Sequence, residues 1–359
     1  MKKILLINEN IGYGGAAKIL SFVANTLAER GHEVTFLTYR EKVCFQKLDK
    51  TVKLIHIPFE SIDRRAVLIP YTVFKLHQFI KSNYFDVAIA FLSPSQLRLI
   101  TACWLTKTKV LVSQRGDPYQ KPEGIKNNLI SKINRFIFSQ ADFFVFQTKM
   151  AQEFYSKKVQ LRSCVIPNPI RPSARTMPRT QKTIEKKIVC VARLDLNQKR
   201  HDLLIKAFKM LSCEYPDYTL ELYGTGEDES IIRDLIGQSN NINLCGMTKN
   251  VVAAIQNAAM FVLTSDYEGI PNALLEAMSL GVPCISTDCS PGGAAMLIEN
   301  GINGLLVKKG DIVGIYKAMK YYVNNPYSAE MMGAKGTEVC VKFSEEIISN
   351  LWCEAIDNL

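Results

Sequence analysis

Two carboxylates bracket a turn at residues 268–276 that has the residue types of a phosphate-binding site. The stretch EGIPNALLE begins at Glu268 and ends at Glu276, and it follows the apolar run Met260–Leu263. Pro271 near the start and Gly281 just past the end are the expected punctuation of a helix that opens near Pro271–Asn272. The amino end of such a helix presents free N–H groups that can bind phosphate. We therefore interpret the two glutamates as hydroxyl acceptors for a ligand that carries both phosphate and vicinal hydroxyl groups.

Two other loops of the C-terminal half follow predicted strands and carry cations or glycines. VARLDLNQKR (191–200) contains Arg193 and Lys199, and YGTGEDES (223–230) contains Gly224. Loops at the carboxyl ends of parallel strands meet at one edge of a sheet, where ligands bind. We expect the cations of the first loop, Arg193, Lys199 and Arg200, to neutralise a diphosphate there, because a guanidinium fits phosphate oxygens. The turn at Gly224 fits the border of a base or ribose pocket.

The N-terminal half has a glycine loop and an Asp-Pro turn at predicted strand ends. In NIGYGGAAK, Gly14 and Gly15 permit close approach of a ligand to the backbone. Ala17 stands where the third glycine of a dinucleotide fingerprint belongs, which argues against a nicotinamide cofactor. The turn SQRGDPY places Arg115 and Asp117 at a sheet edge. Surface Asp-Pro turns are common, so a structural role and a functional role both remain open for this turn.

Strands and helices alternate along the chain, which predicts an α/β fold with two doubly wound parallel sheets. A chain of 359 residues also exceeds the size at which one core keeps growing, roughly 250–300 residues. We predict an N-terminal domain over 1–168, a proline-rich linker over 169–187, and a C-terminal domain over 188–342. The segment 343–359 is predicted to be a helix that packs back toward the N-terminal domain.

The net charge of +10 is unevenly distributed. It is +13 over residues 1–170, +5 over 171–187 and −8 over 188–359. A basic front half suggests an anionic surface or substrate on that side. Nucleic acid is the competing partner, but the chain has no helix-turn-helix, zinc or ribonucleoprotein motif. We therefore expect an anionic membrane or acceptor and no nucleic acid.

The helical stretch KNNLISKINRFIFSQ (126–140) is amphipathic and basic. Such a helix can lie on anionic lipid headgroups, although its apolar face could equally pack on the sheet. Its apolar residues are Leu129, Ile130, Ile133, Phe136 and Ile137, and its basic residues are Lys126, Lys132 and Arg135. Residues 64–81 are a second candidate. With no run of roughly 18 apolar residues, and with ten scattered cysteines, we expect a cytoplasmic protein in peripheral contact with the membrane.

Taken in order, these motifs resemble the family 4 glycosyltransferases of the GT-B architecture over nearly the whole chain. The matching pieces include GGAAK (14–18), VIPNP (165–169) and NGINGLLV (300–307), besides the loops at 191–200 and 223–236. The most specific piece is EGIPNALLE, with two glutamates in the family's E-x7-E spacing. The resemblance implies two Rossmann-like domains that face each other across a cleft, and retaining transfer from a nucleotide-sugar donor.

The resemblance also implies roles for single residues. Arg193 and Lys199 would bind the donor diphosphate, Glu276 the ribose hydroxyls and Glu268 a hydroxyl of the donor sugar. The backbone of Gly269, Ile270, Pro271 and Asn272 would contact sugar and phosphate. Gly14 and Gly15 would lie near phosphate or acceptor. Many relatives have a histidine close to the transferred sugar, and here Arg115 or Asp117 stands in the corresponding turn.

The implied reaction moves a hexose-type sugar, from a UDP-linked donor, to a saccharide or lipid-linked saccharide in surface polysaccharide biosynthesis such as lipopolysaccharide or capsule. It would use no cofactor besides the donor substrate and no metal, because the cations and the helix end can stabilise the leaving diphosphate. A sugar-nucleotide epimerase of the same architecture and a degenerate, binding-only partner subunit remain alternatives.

Overall fold

The computed structural model describes residues 1–9, 11, 15–39, 47–58, 65–91, 93–120, 125–170, 184–248 and 250–359, with the backbone alone at 65–69 and 125–128. The chain forms two compact units. The first comprises Met1–Pro167 together with Ile348–Leu359, and the second is Asn168–Ile347. Most of the predicted linker, 171–183, lies outside the described residues.

The first unit is a parallel sheet of seven strands in the order β3-β2-β1-β4-β5-β6-β7. Its strands are β1 (Lys3–Asn8), β2 (Glu33–Thr38), β3 (Lys53–His56), β4 (Val87–Ala90), β5 (Lys109–Gln114), β6 (Phe143–Phe146) and β7 (Ser163–Val165). Its helices are α1 (Gly15–Glu29), α2 (Arg65–Asn83), α3 (Ser93–Cys103), α4 (Ile125–Phe138), α5 (Lys149–Glu153) and α6 (Lys157–Gln160).

Both faces of this sheet are buried, as parallel sheets require. Along β1, Ile4 and Leu6 join the apolar cluster on one face, and Leu5 and Ile7 join the cluster on the other. The alternation of side chains along a strand explains this division. The first cluster also contains Trp352, which is fully buried. The C-terminal helix (Glu345–Asp357) therefore belongs to the core of the first unit from Ile348 onward.

The second unit is a parallel sheet of six strands in the order β10-β9-β8-β11-β12-β13. Its strands are β8 (Glu185–Val191), β9 (Thr219–Tyr223), β10 (Ile242–Gly246), β11 (Ala258–Leu263), β12 (Cys284–Asp288) and β13 (Leu305–Lys308). Its helices are α7 (His201–Glu214), α8 (Glu229–Ile236), α9 (Val251–Ile255), α10 (Asn272–Ser279), α11 (Gly293–Leu297), α12 (Ile312–Asn324), α13 (Pro326–Gly336) and α14 (Val339–Lys342); the C-terminal helix is α15.

Two parallel, doubly wound sheets confirm the predicted α/β fold class. The structure corrects the sequence prediction in a few elements. The apolar pattern of Val251–Ala258 predicts a helix over that whole stretch, but the helix ends at Ile255, because Ala258 already pairs with Glu185 as the start of β11. Helices α6, α13 and α14 were not predicted from the apolar periodicity. Pro271 lies at the N-cap of α10 with φ −74° and ψ 102°, so the helix proper begins at Asn272.

Candidate functional site

The carboxyl edge of the second sheet has a crevice of the kind that binds ligands in open α/β proteins. Strand β8 pairs with β9 on one side and with β11 on the other, so the chain changes direction at this point of the sheet. The loops that leave two neighbouring strands in opposite directions open a crevice between them. The loop 192–200 follows β8 and the loop 264–271 follows β11. These loops carry most of the predicted site residues of this half.

Lys199 and Glu268 form an ion pair at this point between their Nζ and Oε1 atoms. Their side chains are only 16% and 9% exposed, so the pair is largely withdrawn from water. The Oγ of Ser265 donates a second hydrogen bond to Glu268 Oε1 at 2.7 Å, and the N–H of Glu268 donates to Ser290 O at 2.8 Å. The structure therefore brings the predicted diphosphate cation and the predicted sugar-binding carboxylate into direct contact.

Arg200 holds the two loops together in an unusual backbone conformation. It is the N-cap of α7, with φ 52° and ψ 45° in the left-handed region that a residue with a Cβ rarely adopts. Its Nε and Nη2 each donate to an oxygen of Asp202 at 3.0 Å, and Nη1 donates to Asp266 Oδ2 at 3.0 Å. Thr264 Oγ1 donates to the carbonyls of Lys199 and Arg200. The sequence predicted Arg200 as a cation for a diphosphate, whereas its guanidinium is bonded to Asp202 and Asp266. Residue type alone does not reveal a left-handed arginine.

Arg193 lies beside the ion pair but in a more open position. Its side chain is 62% exposed, and Nη2 bonds Asp195 Oδ2 at 3.0 Å and Gln198 Oε1 at 2.8 Å. Gln198 Nε2 in turn donates to Tyr267 O at 3.1 Å. Gln198 thus links Arg193 to the residue that precedes Glu268. An exposed guanidinium held in this way can contact an anion that reaches the crevice from solvent.

The turn Gly269–Asn272 leads into α10, which begins after β11 at the carboxyl edge of the sheet and whose first N–H groups have no partner within the helix. Ile270 is buried, and Asn168 Nδ2 donates to the Oδ1 of Asn272 at 2.8 Å, which ties the start of α10 to the first residue of the unit. Glu276 lies on the second turn of α10 and is 6% exposed. The predicted contact residues of this segment therefore share one turn and one short helix.

Two glycines let backbone segments meet at this edge. A Cβ on Gly293 would lie 1.3 Å from the carbonyl oxygen of Gly269, so no larger residue fits while the Gly269 turn stays in place. Gly224 has φ +146°, and a Cβ there would lie 1.9 Å from Ala192 O. The strand ends of β8 and β9 consequently approach each other closely. The predicted role for Gly224 is thus accompanied by a clear packing requirement.

Burial keeps the neighbouring titratable groups neutral. Burial raises the pKa of Cys190 to about 12 and that of Cys289 to about 12, and both thiols feel the charge of Glu268. Burial also lowers the pKa of His201, the first residue of α7, to about 4. At neutral pH the thiols are protonated and the imidazole is uncharged. The charged groups near the Lys199–Glu268 pair are therefore the arginines and carboxylates already named.

In the first unit, Arg115 and Asp117 of the predicted turn have different contacts. The Arg115 guanidinium lies 4.3 Å from the ring centre of Phe91 and 5.7 Å from that of Trp352. Desolvation lowers the pKa of Arg115 to about 9, which leaves it charged at neutral pH. Asp117 Oδ1 instead accepts a hydrogen bond from the Tyr119 N–H at 2.9 Å and lines a cavity beside α3 and α4. Gly15 begins α1, and Gly14 lies outside the described residues.

Two kinds of feature are absent from the described part of the chain. No group of three or more His, Cys, Asp or Glu side chains in it could hold a metal ion. No helix in it is long and apolar enough to cross a membrane.

The chain matches two family descriptions that together cover most of its length. Residues 13–174 match "Glycosyltransferase Family 4", and residues 185–325 match "Glycosyl transferases group 1". An uncharacterized glycosyltransferase of Haemophilus influenzae is 25% identical over 364 residues, which covers 98% of this chain and 99% of the relative.

A second relative and a solved structure also match over the whole chain. The Campylobacter jejuni relative is named as a GalNAc-alpha-(1->4)-GalNAc-alpha-(1->3)-diNAcBac-PP-undecaprenol alpha-1,4-N-acetyl-D-galactosaminyltransferase. It is 24% identical over 362 residues, covering 99% of this chain and 98% of its own. The crystal structure of Anabaena HepE in complex with UDP-glucose superposes with a TM-score of 0.79 at 17% identity, covering 100% of both chains. At that identity the match concerns the fold.

Proposed function

Since the chain belongs to the family 4 glycosyltransferases, with a group 1 domain in its second half, we propose that it transfers a hexose-type sugar from a UDP-linked donor. The acceptor is a lipid-linked saccharide, and the configuration at the anomeric carbon is retained. The observation that carries this proposal is the buried Lys199–Glu268 pair at the switch point of the second sheet, one turn before the amino end of α10. A cation, a carboxylate and free backbone N–H groups there match the diphosphate and hydroxyls of a sugar nucleotide.

The chemistry follows from the charge that develops in the reaction. The bond between the anomeric carbon and the diphosphate oxygen breaks, the acceptor oxygen bonds to the same carbon, and the proton of the acceptor hydroxyl passes to the departing diphosphate. Negative charge grows on the leaving diphosphate, which Lys199, Arg193 and the N–H groups at the start of α10 are placed to stabilise. Removal of one preorganised donor of this kind typically lowers the rate by about 10²–10³-fold.

The two glutamates take separate roles in this proposal. Glu268 accepts a hydroxyl of the donor sugar with the oxygen that is not committed to Lys199, while the pair keeps the carboxylate ionised and oriented. Glu276, buried on α10, accepts the ribose hydroxyls. A uridine nucleotide is favoured because HepE, which shares the fold, was crystallised with UDP-glucose. Neither carboxylate has to transfer a proton.

A lipid-linked acceptor is favoured by the Campylobacter relative, whose name specifies an undecaprenol-diphosphate saccharide. The first unit supplies a suitable surface. Helix α4 exposes Leu129 (62%), Ile133 (50%) and Phe136 (63%) beside the exposed cations Lys132 and Arg135. The alternative in which these apolar residues pack only on the sheet is therefore wrong for them.

Helix α2 offers a second exposed surface of the same character. Tyr71 and Phe74 are exposed on it, and the Lys75 Nζ lies 5.7 Å from the Tyr71 ring centre. We propose that both helices rest on the anionic inner face of the plasma membrane.

The prediction is that the protein sediments with phosphatidylglycerol vesicles but not with phosphatidylcholine vesicles. Binding to neither kind of vesicle would contradict the membrane part of the proposal.

Donor binding and turnover test the central claim. We expect UDP-glucose, UDP-galactose or UDP-N-acetylgalactosamine to raise the melting temperature, because a ligand that binds only the native state stabilises it by RT ln(1+[L]/Kd). Glu276→Ala should abolish that shift while the protein remains folded. A shift that survives in Glu276→Ala would refute the ribose assignment. Conversion of the donor sugar to its epimer in the absence of acceptor would favour the epimerase instead.

A further inference from the structure

The first unit contains a preformed cavity of about 360 Å³ between α3, α4 and the turn that follows β5. Its floor is rigid, because Gln96 Nε2 donates to Phe91 O and to Ser113 O, both at 2.7 Å. One wall is aromatic: Phe138 and Tyr155 stack with ring centres 5.1 Å apart. Ligand cavities are typically about 300–1,000 Å³ and largely formed before the ligand arrives. This cavity meets both criteria.

The polar groups at the cavity suit a saccharide. Asp117, Gln120, Ser131, Asn134 and Arg135 line it and together offer carboxylate, amide, hydroxyl and guanidinium groups. Phe154 contributes a ring to the lining, and the Arg135 guanidinium lies 5.0 Å from its centre. Hydrogen-bond donors and acceptors suit the hydroxyl groups of a sugar ring, and the adjoining aromatic rings suit its C–H faces. Among the described lining residues Arg135 is the single cation, beside the carboxylate of Asp117 and neutral amides, which makes the cavity less suited to a nucleotide diphosphate.

The cavity adjoins the exposed apolar face of α4. Ile130 belongs to both, since it lines the cavity and is 45% exposed, and Leu129, Ile133 and Phe136 continue the face along the helix. Arg135 lines the cavity from the same helix. A polar pocket continuous with an apolar and cationic surface fits an amphiphile that has a sugar head, an anionic linkage and a hydrocarbon chain.

We propose that this cavity binds the saccharide end of a lipid-linked acceptor and that the lipid chain runs along the apolar face of α4. The inference rests on the proposed glycosyltransferase function and names the acceptor subsite for it. It gives Asp117 a contact with the acceptor, whereas Arg115, stacked on Phe91 and Trp352, keeps a structural place in the same unit. The sequence does not predict Gln120, Ser131 or Asn134 as site residues, and it predicts Arg135 only as a cation of the amphipathic helix.

Alkyl glycosides of two chain lengths test the proposal. Methyl and decyl glycosides of galactose, glucose and N-acetylgalactosamine serve as acceptors with the donor that shifts the melting temperature most. We expect the wild type to have at least a tenfold lower KM for the decyl glycoside. Phe136→Ser should remove that preference, and Asn134→Trp, which fills the cavity, should raise KM at least tenfold for both chain lengths. Asn134→Ala is the milder cavity variant should the tryptophan disturb folding.

The control variant is Leu161→Ser, another exposed apolar residue of the first unit (86% exposed) that does not line the cavity. It should leave both KM values unchanged. A chain-length preference that persists in Phe136→Ser, or unchanged KM values in Asn134→Trp, would overturn the proposal. If no glycoside is used, a decyl glycoside with a diazirine group is cross-linked instead. Adducts within 114–138 support the proposal, and adducts elsewhere or none overturn it.

Donor binding separates this inference from the function beneath it. The donor-induced shift in melting temperature should be the same in the wild type and in the cavity and α4 variants. A normal donor-induced shift together with acceptor KM values or adducts that contradict the proposal would refute the acceptor subsite but not the glycosyltransferase function. Absence of any shift and of any donor turnover in the wild type would refute the proposed function itself.

Discussion

Three variants of the Lys199–Glu268 pair distinguish its contribution to turnover from its contribution to stability: Lys199→Met, Glu268→Gln and the double variant. Both side chains are largely buried, at 16% and 9% exposure. Removing one partner leaves the other as an uncompensated buried charge, which typically costs about 3–5 kcal/mol. Replacing both by neutral groups of similar volume is often close to neutral. We therefore expect both single variants to lose stability and the double variant to recover most of it.

Turnover should not recover together with stability in the double variant. The leaving diphosphate needs the cation itself, so Lys199→Met should lower turnover about 10²–10³-fold, or roughly 3–4 kcal/mol in the barrier. The double variant still lacks the cation and the carboxylate, so restored stability should not restore turnover. Urea unfolding midpoints measure the stability, and release of UDP from a UDP-sugar with acceptor present measures the turnover.

A matched control is the ion pair of Lys186 with Asp217 on the same unit, whose side chains are 61% and 52% exposed. Exposed pairs contribute little, so Lys186→Met should change neither the unfolding midpoint nor the turnover. The argument from burial fails if the single variants at Lys199 and Glu268 are as stable as the wild type. The catalytic assignment fails if the double variant regains wild-type turnover.

Three further predictions concern the surroundings of this pair, and a fourth concerns metal. Gly293→Ala should lower stability by about 1–3 kcal/mol in urea unfolding, because its methyl group would displace Gly269, and donor affinity should fall with it. Arg200→Gly should be about 1 kcal/mol more stable than Arg200→Ala, since both lose the same ion pairs but only alanine keeps the left-handed strain; equal midpoints would refute this. Burial lowers the pKa of His201 to about 4, whereas an unfolded histidine has a pKa of about 6.5. As the pH falls from 6.5 to 4, the unfolded chain therefore protonates this imidazole before the folded chain does, and about 3 kcal/mol of stability should be lost. His201→Gln should flatten that part of the profile of urea midpoints. EDTA should leave UDP release unchanged, and loss of turnover that Mg²⁺ or Mn²⁺ restores would end the prediction of a metal-free reaction.

Periodicity predicted the fold well because each strand is short, apolar and bounded by polar turns. The apolar run Met260–Leu263 lies within β11, and the helix expected to open near Pro271–Asn272 begins at Asn272. Helix α13, Pro326–Gly336, was missed because its buried positions are mainly small residues with weak apolar contrast. The proline at its first turn was the available signal, since proline is favoured there.

The candidate site was predictable as a set of residues but not as a set of contacts. Residue types at strand ends identified Arg193, Lys199 and Glu268 as neighbours, because parallel strands end at one edge. Which cation pairs with which carboxylate depends on side-chain reach across two loops, and only the structure assigns Glu268 to Lys199. The same limit applies to Arg200, whose left-handed backbone depends on carboxylates from two separate segments.

The two sheets place charged residues at corresponding points, although their loops have different sequences. In the first sheet β1 lies between β2 and β4, just as β8 lies between β9 and β11 in the second. Glu9 follows β1, and its Oε1 lies 3.4 Å from the Arg98 Nη1 of α3, the helix after β4. That nitrogen also donates to the Tyr39 hydroxyl at 2.8 Å. In each unit the crevice at the switch point thus holds one acidic and one basic side chain. In the first unit the acid follows β1 and the base follows β4, whereas in the second unit the base follows β8 and the acid follows β11.

This correspondence follows from topology rather than from a repeated motif. Neighbouring parallel strands whose connections leave in opposite directions cannot fill the space between their loops with backbone, so side chains must occupy it. Polar side chains in a partly buried crevice require partners, and opposite charges satisfy each other there at short range. A ligand that displaces water from such a crevice meets groups that are already oriented. The fold therefore supplies a polar crevice in each unit. The residues at its rim, Lys199 in the second unit and Arg98 in the first, determine which ligand each crevice can hold.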